Sequence, residues 1–157
     1  MPKISQAKAK ERIEVLIKEA EEGDTDSMRF LADIYSGGEY LPKDDFAAEA
    51  WLRKAAELDD DKAKFQLAEL LKKGNGLAKN LEESFDIFHE LSFEGYADAM
   101  VEIGKAMIEG IGTPKNEEMG NKYLRFGKSI GEGIAEDEKK VEKMYEDLKF
   151  KKNKKGV

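Results

Sequence analysis

The chain of 157 residues has no cysteine, a single histidine, a single tryptophan and three prolines. Without cysteine there is no disulfide, no thiolate nucleophile, no zinc–thiolate site and no iron–sulfur cluster. One histidine, His89, leaves no imidazole-built metal site and only the barest material for a catalytic triad. No uncharged apolar run approaches the ~20 residues needed to cross a bilayer. The opening MPKISQAKAKERIEVLIKEAEEG likewise has no apolar stretch of signal-peptide length, so no membrane association and a cytoplasmic location are expected. Basic charge is also short: 27 Lys and Arg against 34 Asp and Glu leave a net −7. Duplex nucleic acid is bound by neutralising phosphates, so it is not an expected partner. What is abundant is charge of both signs, 39% of residues, beside 40% hydrophobic residues. That balance describes a folded, solvent-rich chain, and its length suits one domain.

A shift of 36 residues brings three segments, 23–58, 59–94 and 95–130, into register without a gap. Ser27, Ala63 and Ala99 align, as do Leu31, Leu67 and Ile103, then Ala32, Ala68 and Gly104, then Tyr35, Leu71 and Met107. Gly38, Gly74 and Gly110 follow, then Asp44, Asn80 and Asn116, then Ala48, Ser84 and Gly120, then Trp51, Ile87 and Tyr123. Within each unit the apolar positions recur twice at helical spacing, so each unit reads as two helices. The glycine column marks the end of the first helix, where a left-handed residue satisfies the last carbonyls. The Asp/Asn column marks the start of the second, where a side-chain oxygen accepts from the first-turn amides. Asn80 with Glu83 three residues on is a variant capping box. Small residues at 32, 68 and 104 and at 48, 84 and 120 let paired helices approach closely.

Val15, Leu16 and Ala20 fall under Trp51, Leu52 and Ala56, which makes 6–22 an extra second-type helix capping the first unit. At the other end the columns fade into Val141, Met144, Tyr145 and Leu148 at helical spacing, a capping helix over 135–148. The reading is all-α, an α/α solenoid of about eight helices over residues 1–148. The Lys-rich tail 149–157, with five lysines and no acid, is expected to be disordered.

The first unit, SMRFLADIYSGGEYLPKDDFAAEAWLRKAAELDD, resembles the Sel1-like repeat family at Ser27, Leu31, Ala32, Tyr35, Gly38, Asp44, Ala48, Trp51, Leu52, Lys54, Ala55 and Ala56. The second and third units keep the spacing but replace the Ala-Ala ending with Leu91-Ser92 and Gly127-Lys128. Tetratricopeptide arrays share the hairpin at a period of about 34 residues. The resemblance implies a right-handed superhelix serving as an adaptor or scaffold for other proteins. Cysteine-rich bacterial members staple their hairpins with disulfides, and this chain departs from them.

Candidate chemistry is sparse. His89 shares a column with Arg53 and Arg125, which reads as a polar surface position, and Trp51 reads as core. Asp59, Asp60 and Asp61 lack EF-hand spacing and read as a solvated turn. The Gly-x-Gly pairs at 74/76, 110/112 and 131/133 are not preceded by a strand, the wrong context for a phosphate cradle. No enzyme activity, cofactor or metal is therefore expected. In helical solenoids the first helix of each unit lines the concave side. With Leu31 at the buried centre, the opposite side carries Arg29, Asp33, Ser36 and Gly37, then Phe65, Glu69, Lys72 and Lys73, then Val101, Lys105, Ile108 and Glu109. Phe65, Val101 and Ile108 are apolar there; they become anchors for a protein or peptide partner, or else pack between neighbouring first helices. Arg29, Asp33, Glu69, Lys73 and Lys105 would set specificity. The expectation is a monomeric interaction module, with an acidic immunity or inhibitor protein that neutralises a basic toxin or enzyme as the alternative.

Overall fold

The computed structural model describes residues 5–74 and 80–131. Seven helices account for nearly all of them: α1 (Gln6–Glu21), α2 (Thr25–Gly37), α3 (Asp45–Glu57), α4 (Asp61–Lys73), α5 (Leu81–Phe93), α6 (Ala97–Glu109) and α7 (Glu117–Gly131). Among the described residues there is no strand. The expected capping helix over 135–148 and the tail 149–157 lie outside the described residues. Two compact units, Met1–Ser84 and Phe85–Val157, divide the chain within α5.

In the first unit the helix boundaries are set by local chemistry at the positions the columns indicate. Asp24, Asp44 and Asp60 accept from the backbone N–H of Ser27, Ala47 and Ala63 at 2.8–3.0 Å. Asn80 accepts from Glu83 N–H at 3.0 Å while its Nδ2 donates to Glu83 Oε2 at 2.9 Å, the reciprocal bonds of a capping box. α2 and α4 stop at Gly38 and Gly74, both left-handed with φ of 68° and 73°. The turns between hairpins also need positive φ, at Gly23 (101°) and at Asp59 (59°), the latter without glycine. Each hairpin loop is closed at its base by one backbone bond, Asp44 N–H to Tyr35 O at 2.9 Å and Asn80 N–H to Leu71 O at 3.2 Å.

The core of this unit is the set of small and branched columns: Leu31, Ala32, Ala48, Leu52, Ala55, Ala63, Leu67, Ala68 and Leu71 are each 4% exposed or less. Ala68 and Ser84 bring α4 and the start of α5 so close that Ser84 Oγ donates to Ala68 O at 2.6 Å. Polar side chains join corresponding helices of successive hairpins. Arg29 on α2 donates to Asp60, the cap of α4, at 3.0 Å. Arg53 on α3 donates to both carboxylate oxygens of Glu83 on α5. Trp51, expected in the core, is half-buried and lies with Lys54 Nζ 4.8 Å from its ring centroid.

In the second unit Phe88, Leu91, Ala99, Met100, Ile103, Met107, Tyr123 and Phe126 form the core. The helices α6 and α7 are in backbone contact: a Cβ added to Gly104 or Gly120 would stand 2.7 Å from the other's carbonyl oxygen. Asn116 caps α7 by accepting from Met119 N–H at 3.0 Å, and Asn116 N–H closes the loop onto Met107 O at 2.7 Å. His89 differs from its expected surface placement. It is half-buried, stacked on Phe85 at 5.6 Å, edge-on to Phe93 at 4.7 Å, and its Nε2 is 3.1 Å from Tyr123 Oη.

Candidate protein-binding surface

The first helices of the hairpins, α2 and α4 in one unit and α6 in the other, carry the eight positions singled out by the sequence. On α2, Arg29 is half-buried, held by Asp60 and by Asp26 one turn back. Burial opposes its charge, yet the hydrogen bond and field of Asp60, joined by Asp26, raise its pKa. Asp33 is exposed and accepts from Gln66 Nε2 on α4 at 3.0 Å. Partial desolvation raises its carboxyl above the usual aspartate value, against the pull of Arg29 and Gln66. Gln66 Oε1 is buried and has no hydrogen-bond partner among the described residues. Phe65 is half-buried on α4, and Glu69 and Lys73 are exposed.

Arg29 and Asp33 are thus neighbours on α2, and the Asp33–Gln66 bond fixes them against α4. The three residues of the second unit sit on α6. Lys105 is exposed and paired with Glu102 at 2.9 Å, which raises its pKa. Val101 and Ile108 are half-buried and lean on α7, their methyl and methylene carbons 3.0 Å and 2.7 Å from where a Cβ on Gly127 and Gly120 would be. Both therefore pack within their own hairpin as well as facing outward.

Several exposed apolar side chains lie outside this set: Phe46 at 69%, Phe30 at 59%, Val15 and Leu58 at 54%, and Tyr40 at 41%. Phe30 stands in a column that is otherwise Gln66 and Glu102, a contrast visible in the sequence, although 30 lies beside, not on, the face opposite Leu31. A cleft of about 540 Å³ is lined by Lys10, Ile13, Glu14 and Ile17 of α1, Tyr35 of α2, and Tyr40 and Leu41 of the first loop. Its lining is mainly apolar and aromatic. Among the described residues no group of three His, Cys, Asp or Glu could hold a metal ion, and no helix is long and apolar enough to cross a membrane.

A family model described as Sel1 repeat matches residues 25–60, 61–90 and 97–127. Two solved structures share the arrangement. A protective antigen of uropathogenic Escherichia coli with an SLR fold is 24% identical with a TM-score of 0.71, over 76% of this chain and 26% of its own. A Sel1 repeat protein from Oxalobacter formigenes is 26% identical with a TM-score of 0.62, over 87% of this chain and 98% of its own. The chain thus spans about a quarter of the antigen's length. No curated protein matches the chain.

Proposed function

Since the chain belongs to the Sel1 repeat family, all-α solenoids that are in general protein-interaction modules, we propose that it is a non-enzymatic adaptor that grips a protein or peptide partner on the first helices of its hairpins. The observation that supports this reading is Phe65, a half-buried apolar ring on α4 one and two turns ahead of the exposed charges Glu69 and Lys73. An apolar anchor within a charged rim is the usual anatomy of a protein-binding patch. Arg29 and Asp33 support it from α2, and Val101, Lys105 and Ile108 offer the same mixture on α6. The net charge of −7 supports a basic partner. A cytoplasmic location and the absence of catalysis belong to the same proposal.

The experiment is comparative capture. Proteins retained by the immobilised chain should be lost with Phe65→Asp and with the double charge reversal Glu69→Lys, Lys73→Glu, while thermal unfolding stays near that of the parent. Retention by both variants would refute the assignment. Leu67→Ala, in the buried column two residues on, should instead cost about 2 to 5 kcal/mol of stability.

A further inference from the structure

We propose that the chain pairs with a second copy of itself through the open end of its first unit. In this arrangement α1 lies antiparallel on its counterpart across a twofold axis near Val15, and α2 lies on its counterpart through Phe30 and Ile34.

The repeat itself shows which side chains face backwards along the array. On α4, Gln66 reaches back to Asp33 of α2, and Leu70, one turn later, is 7% exposed. The same columns on α2 hold Phe30 and Ile34; Phe30 is 59% exposed and Ile34 only half-buried. The second layer repeats the pattern. Tyr123 on α7 reaches back to His89 on α5 and is 2% exposed, whereas Val15, in the same column on α1, is 54% exposed. Glu83 reaches back to Arg53, whereas the equivalent Glu11 is exposed with no ion pair among the described residues. The helix α1 caps its unit with Ala9, Ile13 and Ala20 buried, yet the backward faces of α1 and α2 leave Val15 and Phe30 exposed and Ile34 half-buried. Val15, Phe30 and Ile34 are the apolar members of those two faces.

The charges around Val15 select the occupant. At spacings of three and four, the stripe along α1 and its C-cap that contains Val15 reads Lys8, Glu11, Val15, Lys18, Glu22, and the four charged residues are exposed without ion pairs among the described residues. Reversing the stripe inverts every sign. An antiparallel pair centred on Val15 therefore sets Lys8 against Glu22 of the second copy and Glu11 against Lys18, each twice, while a parallel pair sets like on like. A surface complementary to itself on reversal is what a twofold interface requires. The same axis brings Phe30 opposite Ile34 of the second copy on α2. Helices of 16 and 13 residues, about 10 Å wide at 1.5 Å rise per residue, offer a footprint of about 440 Å² per copy. That is roughly half of a standard interface, so the pair belongs with weak, reversible associations. It departs from the monomer expected from the sequence and is independent of the Phe65 surface.

The absence of cysteine makes the test direct. Val15→Cys places one thiol per copy at the axis and Phe46→Cys places one on an exposed face of α3. In oxidised glutathione, Val15→Cys should form the covalent dimer at least ten times faster. Adding Lys8→Glu should slow it several-fold, and adding Glu22→Lys as well should restore it. Sedimentation of the parent chain from roughly 10 to 1,000 μM should show a monomer–dimer equilibrium that Val15→Arg abolishes. Equal cross-linking at both cysteines, indifference to the charge swap, a monomer throughout the series, or a dimer untouched by Val15→Arg would each overturn the proposal.

Discussion

Arg53 and Glu83 meet as a fork on a fork, Nη1 to Oε1 at 2.7 Å and Nη2 to Oε2 at 3.1 Å, linking the second helices of consecutive hairpins. Arg53 also holds Glu49 on its own helix at 2.8 Å, so two carboxylates hold the guanidinium in one geometry. The hydrogen bond from Arg53 lowers the Glu83 carboxyl below its ordinary 4.5, against partial burial. A carboxyl depressed in the folded state contributes stability that is complete above 4.5 and is lost as pH falls through the folded value.

Glu83→Gln should therefore destabilise the chain by about 1 kcal/mol at neutral pH, the upper range for a half-exposed pair. The gap between parent and variant should close as pH falls below the usual glutamate range. Chemical denaturation followed by circular dichroism at several pH values reads this directly. A constant gap down to the acid limit would mean that packing, not charge, holds the two helices.

At the other pH extreme Tyr123 takes over. Burial pushes its phenol up to about 12 from an ordinary 10.0, so above 10 the unfolded chain ionises first and stability falls until the folded value is reached. Tyr123→Phe should remove this alkaline loss. It should also cost about 1 kcal/mol at neutral pH, because His89 Nε2 loses its partner between Phe85 and Phe93.

Gly120→Ala should cost about 1 to 3 kcal/mol, although alanine is the better helix former, because the added methyl would stand 2.7 Å from Gly104 O and from the Ile108 side chain. Gly37→Ala on α2 is the control. Nothing lies within 4 Å of its added Cβ, so it should be neutral or stabilising by about 0.5 kcal/mol. Equal thermal shifts in the two variants would contradict the contact between α6 and α7.

The turns between hairpins give a matched pair of backbone tests. Gly23 at φ 101° has open space around it, so Gly23→Ala should lose about 1 kcal/mol through conformation alone. Asp59, in the same column at φ 59°, already carries that strain, and Asp59→Gly should be neutral or mildly stabilising.

The caps and the helix ends were legible because they are local. Asp44, Asn80 and Asn116 bond to amides three residues away, and the glycine column needs only a sign of φ, so a column of letters contains the whole cause. His89 was misplaced because its column with Arg53 and Arg125 records side-chain polarity. What decides its environment is the presence of Phe85 and Phe93 one turn to either side and Tyr123 across the interface. Val101 and Ile108 expose less than a single helical wheel suggests, because Gly120 and Gly127 draw α7 close enough for their side chains to reach it; a wheel carries no interhelical distance. The exposure of Phe30 is illegible for the converse reason. The helix that would cover it by the logic of the repeat has no counterpart ahead of α2 among the described residues, and a column comparison does not register a missing neighbour.

The single bond that closes each loop, Asp44 N–H to Tyr35 O in the first hairpin and Asn116 N–H to Met107 O in the third, works like a drawstring. The chain re-enters the next helix at a fixed point, and in the first hairpin the bend also lays Tyr40 and Leu41 along the cleft beside Ile13 and Ile17. Foreign sequence could be spliced in between Gly110 and Lys115 while the bond from Asn116 to Met107 keeps the hairpin's base closed, which makes this bend a natural port for engineering new specificities onto an unchanged frame.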